Sequence, residues 1–253
     1  MDQWRTEGLA VSTIKEYLSG VRLIARHFGN DRIAPDNRAF NLENRVYSNN
    51  ADKSLPQNVY EQAVVSLKSS GNVNDNRVAA QLMLQREIGL RKEESFKFNP
   101  SRSVLQDGSI FVTDGTKGGR DRILHQISEK AMAAISYAKT VLSGANSMTN
   151  GMTERQWNNF FYRTIKEHGI SKKDSGASAH GLRHAYAQEK YERLTGFEAP
   201  VKFVSKEEFR ANAEKIAGDD WKALDRESRT LLKGELGHGP DRDDVVNVYI
   251  GSG

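Results

Sequence analysis

"HGLRHAYAQ", His180 to Gln188, places two histidines and an arginine within five residues, with a tyrosine two positions further on. Three readings compete at this point. His180 and His184 are spaced i, i+4, as a helical metal pair is. But the zinc-protease pattern sets Glu directly after its first histidine, and here Gly181 follows, with no obvious third ligand. The stretch can equally be an ordinary helix start with polar residues turned to solvent. Or it can bind phosphate, with Arg183 as a two-pronged donor and His180 as an acid or base beside it.

Outward from that stretch the chain reads as mostly helical. "STIKEYLSGVRLIARHFGN" (12–30) repeats Ile14, Tyr17, Leu18, Val21, Ile24, Ala25 and Phe28 at helical spacing, and more polar helical sequence is expected to about Val46. "YSNNADKSLPQN" (47–58) is poor in apolar residues and marks a boundary. Beyond it, helices are expected from Val59 to Leu67 and over "VAAQLMLQREIGL" (78–90). Two short strands, "SIFVT" (109–113) and "RILHQ" (122–126), flank the Gly-rich turn "DGTKGGRD". Helices resume at 128–142, 153–169 and 178–194. A charged helical stretch then starts at Ser205, where Glu208 completes a capping box.

The fold class is therefore mainly α with a small antiparallel β-sheet (α+β). A helical domain is expected over 1–50, a linker over 51–57 and a larger domain over 58–253. No internal repeat is visible.

Composition narrows the chemistry. The 253 residues contain no cysteine, so disulfides, thiolate nucleophiles and cysteine-held zinc are excluded. No run approaches the roughly 20 apolar residues of a membrane span, and the N-terminus lacks a signal-peptide pattern, so a cytoplasmic protein is expected. A net charge of +4 fits a polyanionic partner without requiring one.

Three further groups carry reactive residues. "IGLRKEESFKF" (88–98) sets Glu94 one turn after Arg91, as a surface ion pair or as a carboxylate that positions the arginine. Lys117 sits at the tip of the Gly-rich hairpin. "ELGHGPDRDDVVNVYIG" (235–251) carries His238 in a compact turn and Tyr249 further on.

Taken together, in this order, the motifs resemble the tyrosine recombinase (phage integrase) family. Gly89-Leu90-Arg91 with Glu94, Thr116-Lys117-Gly118, His180-Gly181-Leu182-Arg183-His184, Leu236-Gly237-His238 and Tyr249 each match a family motif. The resemblance runs from about Pro56 to the C-terminus. It is looser over the N-terminal helices, which resemble a short core-binding domain.

The resemblance implies a site-specific recombinase or integrase of a mobile element, working on a double-stranded DNA site through a 3′-phosphotyrosyl intermediate, without metal, ATP or other cofactor. Tyr249 would be the nucleophile, favoured over Tyr186. Arg91 and Arg183 suit the pentacoordinate phosphorus, being planar and always charged. Tyrosine, with a pKa of about 10, needs a base, and the leaving alkoxide needs an acid. His180 and Lys117 are the candidates, with His238 donating to a phosphate oxygen. Glu94 and His184 would support from behind. Lys15, Arg22 and Arg26, away from the first helix's apolar stripe, are candidate DNA contacts, although a merely solvated face accounts for them as well.

A tetramer on DNA, a monomer in solution, and accessory DNA-bending or directionality factors also follow from the resemblance. Three departures are expected: an insertion at about 195–228, no helix after Tyr249 for docking on a neighbouring protomer, and a short N-terminal domain without an arm-type DNA-binding domain before it. A type IB topoisomerase-like enzyme and a non-cleaving DNA-binding relative are the alternatives.

Overall fold

A computed structural model describes residues 2–42, 50–116, 119–142, 149–239 and 242–253. The chain forms two compact units, Met1–Tyr47 and Ser48–Gly253.

The first unit holds α1 (Asp2–Thr6) and α2 (Val11–His27). Ile14 and Leu18 are buried with Leu42, and Trp4, Leu9, Ile33 and Phe40 pack against them. Of the expected stripe, only these two positions are buried. Ile24 and Phe28, at the end of α2, are 61% and 78% exposed. The polar segment after α2 is not the helix expected from the sequence. Over its described part it is loop with a single 3-10 turn, Asn37–Phe40, capped by Asp36. Gly29 leaves α2 at φ +72°, and Pro35 disfavours helical backbone at the residue before it.

The second unit contains α3 (Gln57–Ser69), α4 (Val73–Glu87), α5 (Lys92–Lys97), α6 (Pro100–Ser103), β1 (Ile110–Val112), β2 (Arg122–Leu124), α7 (Glu129–Val141), α8 (Glu154–Glu167), α9 (His180–Thr195), α10 (Lys206–Ala217), α11 (Trp221–Glu235) and α12 (Asp243–Ile250). Among the described residues the protein is mainly α with one two-stranded antiparallel sheet, pairing Ile110 with Leu124 and Val112 with Arg122.

Helix α4 is the centre of the first core. It is buried at Val78, Ala79, Ala80, Leu82 and Leu84 and packs on α3, α5, α7, α8 and α9. A helix covered on so many sides shows little amphipathic contrast. Helix α9 links this core to a second one, where it meets α11 and α12. The predicted insertion supplies α10 and the start of α11. It is woven into that second core: Phe209 is fully buried against the rings of Phe197, Phe203 and Trp221. Ser205 caps α10 through the Glu208 N–H at 3.1 Å, while the Glu208 carboxylate takes the Val204 N–H in return.

Candidate active site

The first turn of α9, where "HGLRHAYAQ" begins, lies under a neighbouring stretch of backbone. Gly181 is there because backbone passes directly over it. The Leu55 N–H donates to the Gly181 carbonyl at 3.1 Å. A Cβ on Gly181 would sit 2.7 Å from the Lys53 carbonyl oxygen and 2.8 Å from the Leu55 nitrogen. Asp52 fastens the same segment, accepting from Gln188 Nε2 at 2.9 Å and from Lys202 Nζ at 2.7 Å. Burial raises the pKa of this carboxyl, but Lys202, Gln188 and Ser54 outweigh it and hold Asp52 well below the carboxylate range.

One turn into α9, Arg183 is completely buried. Its Nη1 donates to the Gly89 carbonyl and its Nη2 to the Leu236 carbonyl. Its Nε donates to the Tyr249 hydroxyl at 3.3 Å. Gly89 is required twice over. Its φ is +70°, and a Cβ would fall 2.3 Å from Cδ1 of Tyr186.

Arg91 stands at the N-terminal edge of α5, and the Glu94 carboxylate reaches back to it: the Arg91 backbone N–H donates to Glu94 Oε2 at 2.6 Å and its Nη1 to Oε1 at 2.7 Å. Its Nη2 donates to the Leu236 carbonyl at 2.9 Å. So Arg91 and Arg183, far apart in sequence, share one carbonyl at the end of α11. A helix C-terminus carries partial negative charge and suits cations.

A third arginine was missed in the sequence. Arg122 on β2 donates through Nη1 and Nη2 to both oxygens of Glu94, at 2.9 and 2.7 Å. Its Nε donates to the Glu235 carbonyl at 2.6 Å. The available signal was alternation, since Arg122 shares the inward face of its strand with Leu124. Gly237, at φ +62°, admits these side chains: a Cβ there would lie 3.2 Å from Arg122 Nη1 and 3.3 Å from Arg91 Nη1.

Burial pushes the Glu94 carboxyl up, but Arg122 first, then Arg183 and the Arg91 N–H, bring it down to about 2. Three guanidiniums around one carboxylate leave excess positive charge in a largely buried place. Desolvation and then Arg183 lower the Arg91 pKa, so an incoming anion would relieve both.

Tyr249 comes from α12, seated by the buried Val246 and Ile250. Its ring centroid lies 4.7 Å from that of His184, 5.7 Å from His180 and 5.8 Å from His238. The Arg183 guanidinium carbon stands 5.6 Å from the same centroid. His184 is thus stacked on Tyr249, with Nδ1 buried and lacking a hydrogen-bond partner, as is Nε2 of His238.

Desolvation, with Arg183 and Arg91, lowers His180 to about 4 and His238 to about 3. His180 is exposed to solvent on one side yet densely surrounded on the other. Desolvation followed by His180 lowers His184 to about 4. All three imidazoles are neutral at pH 7.

Tyr186 is occupied elsewhere. It packs under Gly89, donates to Glu235 Oε2 at 2.9 Å, and its phenol pKa is driven up by burial. As for a metal, among the described residues no group of three or more His, Asp or Glu side chains is placed to hold one.

The site therefore brings together Arg91, Glu94, His180, Arg183, His184, His238 and Tyr249. Lys117 lies outside the described residues. In the first unit, Arg22 is held internally. Its Nε donates to the Ala34 carbonyl and its Nη1 to Asn37 Oδ1, each at 2.9 Å. Lys15 is half-buried and Arg26 exposed.

A family model described as integrase matches residues 43–189, more than half of the chain. No curated protein matches the sequence. Among solved structures, the XerH site-specific recombinase bound to palindromic difH substrate, a post-cleavage complex, aligns with a TM-score of 0.55 at 15% identity, covering 96% of this chain and 65% of that one. XerH bound to difH in a pre-cleavage complex aligns with a TM-score of 0.54 at 15% identity, covering 97% and 63%. The chain spans less than two thirds of the length of either, and at this identity the likeness is one of fold.

Proposed function

Because the chain belongs to the integrase family of tyrosine recombinases, we propose that it cuts and rejoins DNA strands at a specific site, as the recombinase or integrase of a mobile element. The observation that carries this reading is the contact between Arg183 Nε and the Tyr249 hydroxyl at 3.3 Å, inside a ring of three neutral imidazoles.

The Tyr249 oxygen attacks phosphorus. The P–O bond to the 5′ carbon breaks, leaving a 3′-phosphotyrosyl link and a 5′-hydroxyl. Attack by another 5′-hydroxyl reverses the step, so bond energy is retained and no external energy source enters. His180 takes the phenol proton; its low pKa keeps it unprotonated beforehand. Lys117 gives a proton to the departing 5′ oxygen. Arg91 and Arg183 hold the non-bridging oxygens, exchanging carbonyl partners for phosphate. His238 adds a hydrogen bond. His184 supports the Tyr249 ring, and Glu94 holds Arg91.

DNA would also meet the outward face of α8, where Arg155, Tyr162, Arg163 and Lys166 are exposed and Lys92, the neighbour of Arg91, lies 4.9 Å over the Tyr162 ring. Cations alternating with an aromatic suit a phosphate backbone. Protomers would assemble on the paired sites as a tetramer.

The test is trapping. The protein is incubated with a library of nicked duplexes of random sequence, and DNA that stays attached under denaturing conditions is sequenced. An adduct mapped to Tyr249 and lost in Tyr249→Phe supports the reading. An adduct on another tyrosine, or none from the whole library, sinks it. Strand exchange between two copies of the trapped site then separates a recombinase from a topoisomerase.

A further inference from the structure

The geometry points to Arg122 as a positioning residue for strand cleavage: it fixes the Glu94 carboxylate, and through it Arg91, while tying the β-hairpin to the end of α11. This inference rests on the recombinase reading. Arg122 falls outside the matched motifs, and in the sequence only its alternation with Leu124 marks it.

The first support is bond geometry. Glu94 accepts four hydrogen bonds, two from Arg91 and two from the Arg122 fork. The Arg91 pair comes from its own backbone and one side-chain nitrogen, three residues away. That pair alone leaves the carboxylate free to swing with α5. The Arg122 fork comes from a different element and defines the plane of the carboxylate. Bidentate pairing of this kind fixes orientation as well as distance.

The second support is connectivity. The third donor of Arg122, Nε, binds the Glu235 carbonyl at 2.6 Å. The next carbonyl, Leu236, receives both Arg91 and Arg183. One side chain therefore joins the strand leaving the Lys117 hairpin, the carboxylate behind Arg91, and the carbonyl row that anchors both phosphate-facing arginines.

The third support is burial. The Arg122 side chain is 5% exposed, against 19% for Arg91. Both terminal nitrogens of Arg122 are spent on a carboxylate, whereas those of Arg183, and Nη2 of Arg91, rest on neutral carbonyls that a phosphate can replace, so Arg122 is not the DNA contact. Its effect has to pass through Glu94 and the α11 terminus. Lysine would keep the charge but lose the fork.

Arg122→Lys and Arg122→Gln are prepared in the full chain, with thermal melts to confirm folding. The direct readout needs no DNA: rotation of the Arg91 guanidinium, followed by nitrogen-15 NMR. It should speed up at least about tenfold in both variants, equivalent to about 1.4 kcal/mol of lost restraint. An Arg91 as slow as in wild type overturns the proposal.

On a trapped site, single-turnover adduct formation at saturating DNA should fall on the order of 100-fold, as for a misplaced catalytic group, with DNA affinity within about threefold. Wild-type speed in Arg122→Lys would show that charge alone suffices and would overturn the proposal. The Glu94→Gln, Arg122→Gln double variant guards against misfolding of the single one. If Arg122 acts through Glu94, it adds no loss beyond Glu94→Gln, and full additivity refutes that. Should wild type itself form no adduct, the recombinase reading fails, and the Arg91 rotation still decides the role of Arg122.

Discussion

Replacing Glu94 by glutamine keeps the shape of the side chain and removes its charge from beside three guanidiniums. The carboxyl is wholly buried and held at about 2, against an ordinary value of 4.5. That difference corresponds to about 3 kcal/mol of folding stability at pH 7. The folded state binds the proton less readily than the unfolded one, so the contribution is complete above pH 4.5 and is lost as pH falls through 2. At pH 3.5 about 2 kcal/mol should remain.

Urea unfolding of wild type and Glu94→Gln, followed by circular dichroism at pH 7, 5 and 3.5, gives the comparison. The stability gap should be about 3 kcal/mol at the two higher values and should narrow by about 1 kcal/mol at the lowest. Other carboxylates titrate in both proteins and cancel. A gap below about 1 kcal/mol at pH 7, typical of a surface ion pair, would refute the reasoning, as would a gap indifferent to pH.

Other outcomes follow from the same geometry. Tyr249→Phe should abolish covalent attachment to DNA while leaving binding intact, and Tyr186→Phe should keep attachment; the reverse pattern would exchange their roles. Gly89→Ala should lose about 2–5 kcal/mol in chemical denaturation, combining a strained φ with the clash on Tyr186. Gly181→Ala should lift the chain crossing α9 and speed proteolysis between residues 51 and 56, whereas an unchanged digestion rate would count against that packing. His180, His184 and His238 have depressed folded values, so each contributes stability that is complete above about 6.5 and lost on acidification toward 3–4. Imidazole proton NMR should find all three neutral at pH 6, and a midpoint near 6.5 for any of them contradicts its described surroundings.

Local chemistry was the legible part. Helical spacing announced α3, α4, α7, α8 and α9, and the Gly-rich turn announced the hairpin, because each depends on neighbours within a few residues. Arg122 was illegible because its meaning lies in Glu94 and Glu235, which reach it only through tertiary folding. The same holds for the motif glycines. Gly181 and Gly237 read as turn or spacer residues until a passing backbone and two guanidiniums are seen against them. His184, expected from the resemblance to support the site from behind, does so by lying against a tyrosine 65 positions later. The expected helix beyond α2 failed for a local reason, the Gly29 exit and Pro35, which charge and polarity patterns do not weigh.

The carbonyls at the end of α11 also set a schedule. Arg91 and Arg183 both find their anchor at Leu236, and the Tyr249 hydroxyl arrives later still. Until α11 is made, Arg91 can reach Glu94 and Arg183 the Gly89 carbonyl, but the anchor they share is missing. The two arginines, made early and far apart, are thus drawn to a common point only once the end of α11 has folded.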